Sequence, residues 1–471
     1  MSTEGRHLDR LTAVDASFLT NESSSSHMHV GAILIFEGPP PKYVDLVEHV
    51  RGRLAQVPRF RQKLVVPPLE AGRPLWADDV NFNLTYHIRH TALPEPGGEA
   101  QLKRLAGRVF SQQLDRSKPL WELWLAQGLE RDRFAILTKT HHAMVDGISG
   151  VDIGTVLFDL EPIPEPAEVS DDWVPQPEPG TTELVARGIS DAVAIPVKAA
   201  ERALEVVRRP ETAARRAVEA LEGISEIVSA FADPAPDVPL NQPIGPHRRY
   251  IWERSELATF KSIKDALGGT VNDVVLAVVT GAVREWLHSR SIRTEGLELR
   301  ALVPVSIRGE DERGNLGNRI ALMRGPLPVY VEDPVRRLRT ISQAMEGLKR
   351  SKQALGAEVI SRFNDFAPPT LLAQASRINF STRLFNMIVT NVPGPQIPLY
   401  VLGRELEEVF PVAFLPQNHA LAVAIMSYNG KVGFGLLADY DSMEDIEVLS
   451  AGLSDSLAEL ERAASESAAA A

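Results

Sequence analysis

The 471-residue chain contains no cysteine, which removes a thiol nucleophile, a disulfide framework and any cysteine-ligated metal from its possible chemistry. It also lacks an excess of positive charge: 50 Lys and Arg stand against 62 Asp and Glu, for a net charge of -12. Binding to phosphate polymers needs a basic field, so nucleic acid is not expected as a partner. Long apolar runs are missing too. The longest, Ala420 to Met426, falls far short of the roughly 18–20 residues that span a bilayer. The first residues, Met1 to His7, have no apolar segment of the kind a secretory signal carries. These absences predict a cytoplasmic protein that meets lipid, if at all, from the membrane surface. Gly-x-Ser-x-Gly, the elbow that presents a nucleophilic serine, does not occur, which argues against a serine acyl-enzyme.

What is present is a globular chain, 44% hydrophobic and too long for one ordinary core. Its most informative stretch runs from Phe134 to Gly150. The apolar run Phe134 to Leu137 reads as a buried strand that ends at His141 and His142, with Asp146 and Gly147 in the turn beyond. Adjacent histidines on a strand point to opposite faces, so the pair does not fit a single metal ion. An imidazole delivered to a loop edge suits general-base chemistry, because its pKa lies near the working pH. Upstream, His27 and His29 share one face of a second apolar strand that continues through Gly31 to Phe36. With no third ligand nearby they read as satisfied or exposed histidines rather than a metal site.

Helical spacing is present over residues 8–20, with Leu11, Val14, Phe18 and Leu19, and also over 43–54 and 99–112. Pro58-Arg59-Phe60-Arg61 reads either as a solvated turn or as the source of an arginine paired with a buried carboxylate. Pro119-Leu120-Trp121 reads as core or as tunnel lining. A Pro-rich acidic linker starts at Glu161. Two amphipathic stripes follow it, Val185 to Val207 and Val218 to Phe231, with Arg208, Arg209, Arg215 and Arg216 between them. Such helices can bridge two lobes or meet anionic lipid. Thr270 can cap a helix opened by Asn272 and Asp273. Arg308 closes a strand read within Leu299 to Arg308, as a candidate for CoA phosphates, for Asp146 or for a structural ion pair; Thr390-Asn391-Val392-Pro393-Gly394-Pro395 ends another strand, and Asn429-Gly430 marks a tight hairpin. Residues from Ser465 to Ala471 are expected to fray.

Taken in order, His-Met-His-Val-Gly, Pro-Leu-Trp, His-His-x-x-x-Asp-Gly, Asn-Asp and Asn-Val-Pro-Gly-Pro resemble the bacterial wax ester synthase/diacylglycerol acyltransferases. That family lies within the CoA-dependent acyltransferase superfamily, and the likeness runs from about residue 8 to 462. It implies an α/β fold of two similar chloramphenicol-acetyltransferase-like lobes with mixed sheets around a central tunnel. The lobes would be residues 1–160 and 246–471, joined by a linker and helical crossover at 161–245. The resemblance implies that His142 is the general base and that His141 shapes the pocket. Asp146 and Gly147 would set the loop. Arg61, Asn272 and Asp273 would support the site, and Pro119, Leu120, Trp121, Thr390, Asn391 and Arg308 would meet substrate. It implies acyl-CoA as donor and diacylglycerol or a long-chain alcohol as acceptor, with no resident cofactor or metal. The expected location is the inner face of a membrane or a lipid droplet. The alternatives are a condensation-type acyltransferase that uses a carrier-protein thioester, and a catalytically silent lipid-binding protein.

Overall fold

A strand that is buried along nearly its whole length is covered on both faces, and Arg133–His141 is buried at every residue except the first. The computed structural model places it inside a sheet. The structure describes residues 8–68, 72–145, 153–163, 173–184, 233–306, 320–350 and 380–470. In chain order the strands are β1 (His29–Phe36), β2 (Gln62–Val65), β3 (Leu75–Asp78), β4 (Ile88–Ala92), β5 (Trp121–Leu129) and β6 (Arg133–His141). They continue as β7 (Arg248–Glu256), β8 (Leu299–Ser306), β9 (Ile320–Leu327) and β10 (Met387–Pro393). The last are β11 (Tyr400–Val401), β12 (Arg404–Val412), β13 (Leu421–Tyr428) and β14 (Lys431–Asp439). The helices are α1 (Ala13–Asn21), α2 (Tyr43–Arg51), α3 (Leu84–His87), α4 (Glu99–Phe110) and α5 (Ile153–Leu157). The second half contributes α6 (Leu257–Leu267), α7 (Val271–Ser289), α8 (Pro334–Arg350) and α9 (Ile446–Ala470).

Two six-stranded mixed sheets result, in the orders β11-β12-β1-β6-β5-β4 and β7-β14-β13-β10-β8-β9, with β2 and β3 as a separate ribbon. The first sheet draws on both ends of the chain. Its strands β11 and β12 come from residues 400–412, inside the segment assigned to the second lobe. β12 pairs antiparallel with β1 from Gly31↔Val412 to Phe36↔Leu406, so the chain crosses back to complete the first sheet. Strand pattern reports which face of a strand is apolar but not which neighbour it will find.

The exchanged strand also makes the joint between the sheets. Gly433 and Gly435 on β14 pass so close to the Val409 and Pro411 carbonyls of β12 that a Cβ at either position would overlap them. Tyr250 closes the joint from β7, donating its hydroxyl hydrogen to the carbonyls of Phe410 and Pro411 at 3.0 and 2.9 Å. Gly435→Ala is therefore expected to destabilise the fold by about 3 kcal/mol, at the upper end of ordinary overpacking, because the obstruction is backbone that cannot rotate away. Differential scanning calorimetry would show this as a lowered Tm; an unchanged Tm would contradict the packing described.

The second sheet is backed by α7, whose residues from Asp273 to Val283 are nearly all buried and which packs against α8 and α9. A helix that is apolar almost all round belongs in a core. Thr270 caps it in a full capping box with Asp273. Asn429 and Gly430 both take positive φ, 43° and 82°, in the hairpin that joins β13 to β14, as their residue types demand. α9 runs to Ala470, held by the buried Leu449, Leu453, Leu460 and Ala464, and is exposed from Ser465 to Ala469. The two amphipathic stripes between residues 185 and 231 lie outside the described residues.

Candidate active site

Two main-chain hydrogen bonds fix the end of β6. The His141 amide donates to the Leu120 carbonyl at 2.9 Å, and the His142 amide donates to the Met28 carbonyl at 2.8 Å. His141 is thus the last strand residue, paired with His29 across β1, and His142 opens a short 3-10 turn over His142–Met144. The change of backbone direction sends the two rings into different surroundings.

His141 faces inward and is fully buried. Its Nδ1 accepts the Ala143 amide hydrogen at 3.1 Å, which caps the turn that carries His142. A backbone N–H can only donate, so in the neutral ring Nδ1 holds the lone pair and Nε2 holds the proton. Nε2 faces Glu22, with Oε2 at 3.6 Å, and the other carboxylate oxygen lies 3.6 Å from Nε2 of His29. At that separation these are charge–dipole contacts rather than closed hydrogen bonds. The Glu22 side chain is 3% exposed and is held by Arg116, whose Nε donates to Oε2 at 2.7 Å. Burial alone would raise the Glu22 pKa; the Nε2–H of His141 and the charge of Arg116 outweigh it and hold the carboxyl below its ordinary value.

His142 sits in an aromatic box. Phe18 of α1 stacks on it with centroids 4.0 Å apart, and Phe414 meets it edge-on at 5.3 Å. Phe380 extends the box, 6.2 Å from Phe18 and 5.8 Å from Phe414. Nδ1 of His142 is buried with no partner of good geometry among the described residues. The residue as a whole keeps partial exposure. This apolar burial, with the nearby His141, lowers the pKa of the imidazole from 6.5 to about 4, so the ring is neutral at physiological pH.

The remaining candidate residues fall into three groups. Asn272, at the start of α7, accepts a hydrogen bond from Nδ2 of Asn391 on β10 at 3.4 Å, which brings together two motifs 119 positions apart. Beside them β8 and β10 share only the pairs Met387↔Ala301 and Ile388↔Leu302, so partly exposed Thr390 and Asn391 lie beyond the last rung to β8. Asp273 is a capping residue: its Oδ2 accepts from the Thr270 amide at 2.8 Å and from the Ser342 hydroxyl at 3.3 Å.

The Pro119-Leu120-Trp121 segment is core. Leu120 and Trp121 are wholly buried, with Trp121 stacked on His87 and donating through Nε1 to the Phe60 carbonyl at 2.8 Å. Their side chains are enclosed by core packing, and Leu120 supplies the carbonyl that anchors His141. Arg61 is buried with its guanidinium 4.8 Å from the Trp173 ring centroid. Asp146, Gly147 and Arg308 lie outside the described residues. Among the described residues, no group of three His, Asp or Glu has the arrangement to hold a metal.

Glu22, Arg116, Phe18 and Phe414 escape sequence reasoning as site residues. Phe18 reads as part of a helical stripe, and Glu22 follows it in a polar run that looks like any solvated loop.

Residues 11–275 match the family model for the wax ester synthase/diacylglycerol acyltransferase catalytic domain, and residues 316–461 match that for the C-terminal domain of the same family. A probable diacylglycerol O-acyltransferase of Mycobacterium tuberculosis is 33% identical over 457 residues, 96% of each chain. The solved structure of a wax ester synthase/diacylglycerol acyltransferase from Marinobacter aquaeolei superposes with a TM-score of 0.69 at 27% identity, covering 97% of this chain and all of that one. The first condensation domain of the CDA synthetase superposes with a TM-score of 0.54 at 16% identity, over 96% of each chain, which shows a shared fold.

Proposed function

The chain belongs to the wax ester synthase/diacylglycerol acyltransferase family, and from that premise we propose that it moves a long acyl group from CoA to diacylglycerol or a long-chain alcohol, with His142 as general base. It is an O-acyltransferase. The observation that carries the role of His142 is its neutral, partly accessible imidazole at a strand end inside an aromatic box.

In this reading the acceptor hydroxyl meets Nε2 of His142. As its oxygen bonds to the thioester carbon, the imidazole takes the proton. The tetrahedral intermediate collapses, the C–S bond breaks, and the imidazolium returns the proton to the departing CoA sulfur. No covalent acyl-enzyme is needed, in keeping with the absence of cysteine and of a serine elbow. Asn272 is suited to hold the developing oxyanion: its carbonyl oxygen accepts from Asn391, which leaves its NH2 as a donor. Phe18, Phe380 and Phe414 supply an apolar approach for a chain whose burial contributes about 0.8 kcal/mol per CH2. Among the described residues no single helix is long and apolar enough to cross a membrane. A peripheral position at a membrane or lipid-droplet surface fits water-insoluble acceptors.

The test supplies radiolabelled oleoyl-CoA with dioleoylglycerol and hexadecanol together and separates the products. Triacylglycerol, wax ester or both are expected, and their ratio measures acceptor preference. A protein that binds the lipids but forms neither ester would overturn the reading.

A further inference from the structure

We propose that Glu22 is a positioning residue of this acyl transfer: its buried carboxylate selects the His141 tautomer whose Nδ1 caps the turn that aims His142. The inference rests on the general-base reading of His142 and deepens it.

The geometry leaves Glu22 little other use. It is enclosed, so it cannot reach a substrate, and it retains its charge through Arg116. Its Oε2 lies 3.6 Å from Nε2 of His141; its Oε1 lies 3.6 Å from Nε2 of His29, a nitrogen whose lone pair is already set by accepting the Leu114 amide hydrogen at 3.4 Å. A neutral imidazole has two tautomers of similar intrinsic energy, and the partner of one nitrogen decides which is populated. With a carboxylate opposite Nε2, the form with hydrogen on Nε2 is attracted and the form with a lone pair there is repelled. The first form leaves Nδ1 free to accept from the Ala143 amide; the second would point N–H at N–H and lose the cap. His142 lies within that capped turn, whose other closing bond runs from the Val145 amide to the His142 carbonyl at 3.1 Å. The orientation of the base thus depends on a carboxylate that never meets the reacting atoms.

The experiment is a double-mutant cycle on the full chain, with kcat, KM and Tm measured for each variant. Glu22→Gln keeps the shape and removes the charge. His141→Asn places a side-chain oxygen that can accept the Ala143 amide without a tautomer choice. In the parent background Glu22→Gln is expected to lower kcat roughly 10- to 100-fold, the range that losing the outer partner of a histidine shows at metal sites. KM should stay within about threefold. In the His141→Asn background the same change should alter kcat by less than about threefold, since the tautomer no longer matters. Equal losses in both backgrounds, or a Glu22→Gln enzyme within about threefold of the parent, would overturn the proposal. If Glu22→Gln does not fold, Glu22→Asp enters the same cycle. If both Glu22 variants unfold even beside His141→Asn, the carboxylate serves folding and the proposal falls. Turnover by the parent and its loss in His142→Ala test the acyl-transfer reading separately.

Discussion

Replacing His142 by alanine is expected to lower turnover by about 10²–10⁴-fold while the protein stays folded. That loss corresponds to roughly 3–5 kcal/mol of transition-state stabilisation. The structural cost should be smaller, because the main interactions lost are the Phe18 stack and the Phe414 edge contact, worth about 0.5–1.5 kcal/mol apiece. A near-native circular dichroism spectrum with collapsed activity would separate the two. The same residue sets the pH profile. A general base works only when neutral, and apolar burial lowers this imidazole to about 4. The acid limb of kcat/KM should therefore lie well below pH 6.5, and above it the rate should be flat toward neutrality. An ordinary histidine limb near 6.5, or near-normal turnover by purified His142→Ala, would remove His142 from the role of base.

Acid should also unfold the protein earlier than its carboxylates alone would require. His87 and His419 are both buried, and burial lowers each to about 4. His87 lies stacked between Phe82 and Trp121; its hydrogen bond to the Trp121 carbonyl pulls the value back up, but less than burial pulls it down. His419 faces the carbonyls of Gln417 and Phe385, which act in the same minor way. In the unfolded chain both return to about 6.5. Between those values the unfolded state binds protons that the folded state refuses, so stability falls as pH drops through 6.5 toward 4. Each contributes a loss of about 2 kcal/mol between pH 7 and pH 5, or about 4 kcal/mol together. Against a total of roughly 5–15 kcal/mol, that is a large fraction. Urea unfolding at pH 7, 6 and 5 measures it directly. Stability that is level or rising toward pH 5 would mean that these histidines carry charge in the folded state.

The sequence by itself determined the features whose causes are local. An apolar run that ends in two histidines is a buried strand delivering imidazoles to an edge, because burial and strand period are written in consecutive residues. Thr270 capping α7 and Asn429-Gly430 closing a hairpin are equally local, since each depends on the side chain or φ preference of one or two residues. The order of motifs likewise pointed to the family. Tertiary structure alone decided which neighbours those features met. β12 joins the first sheet rather than the second, and nothing within Arg404–Val412 states that choice. Trp121 is core, although its motif also suited a tunnel wall. Glu22 reaches His141 across 119 positions, and in sequence it is one acid in a polar run. Charge–dipole contacts and stacking fall off over a few ångströms, so they are set by where the chain returns in space. Distance along the chain carries no record of that return.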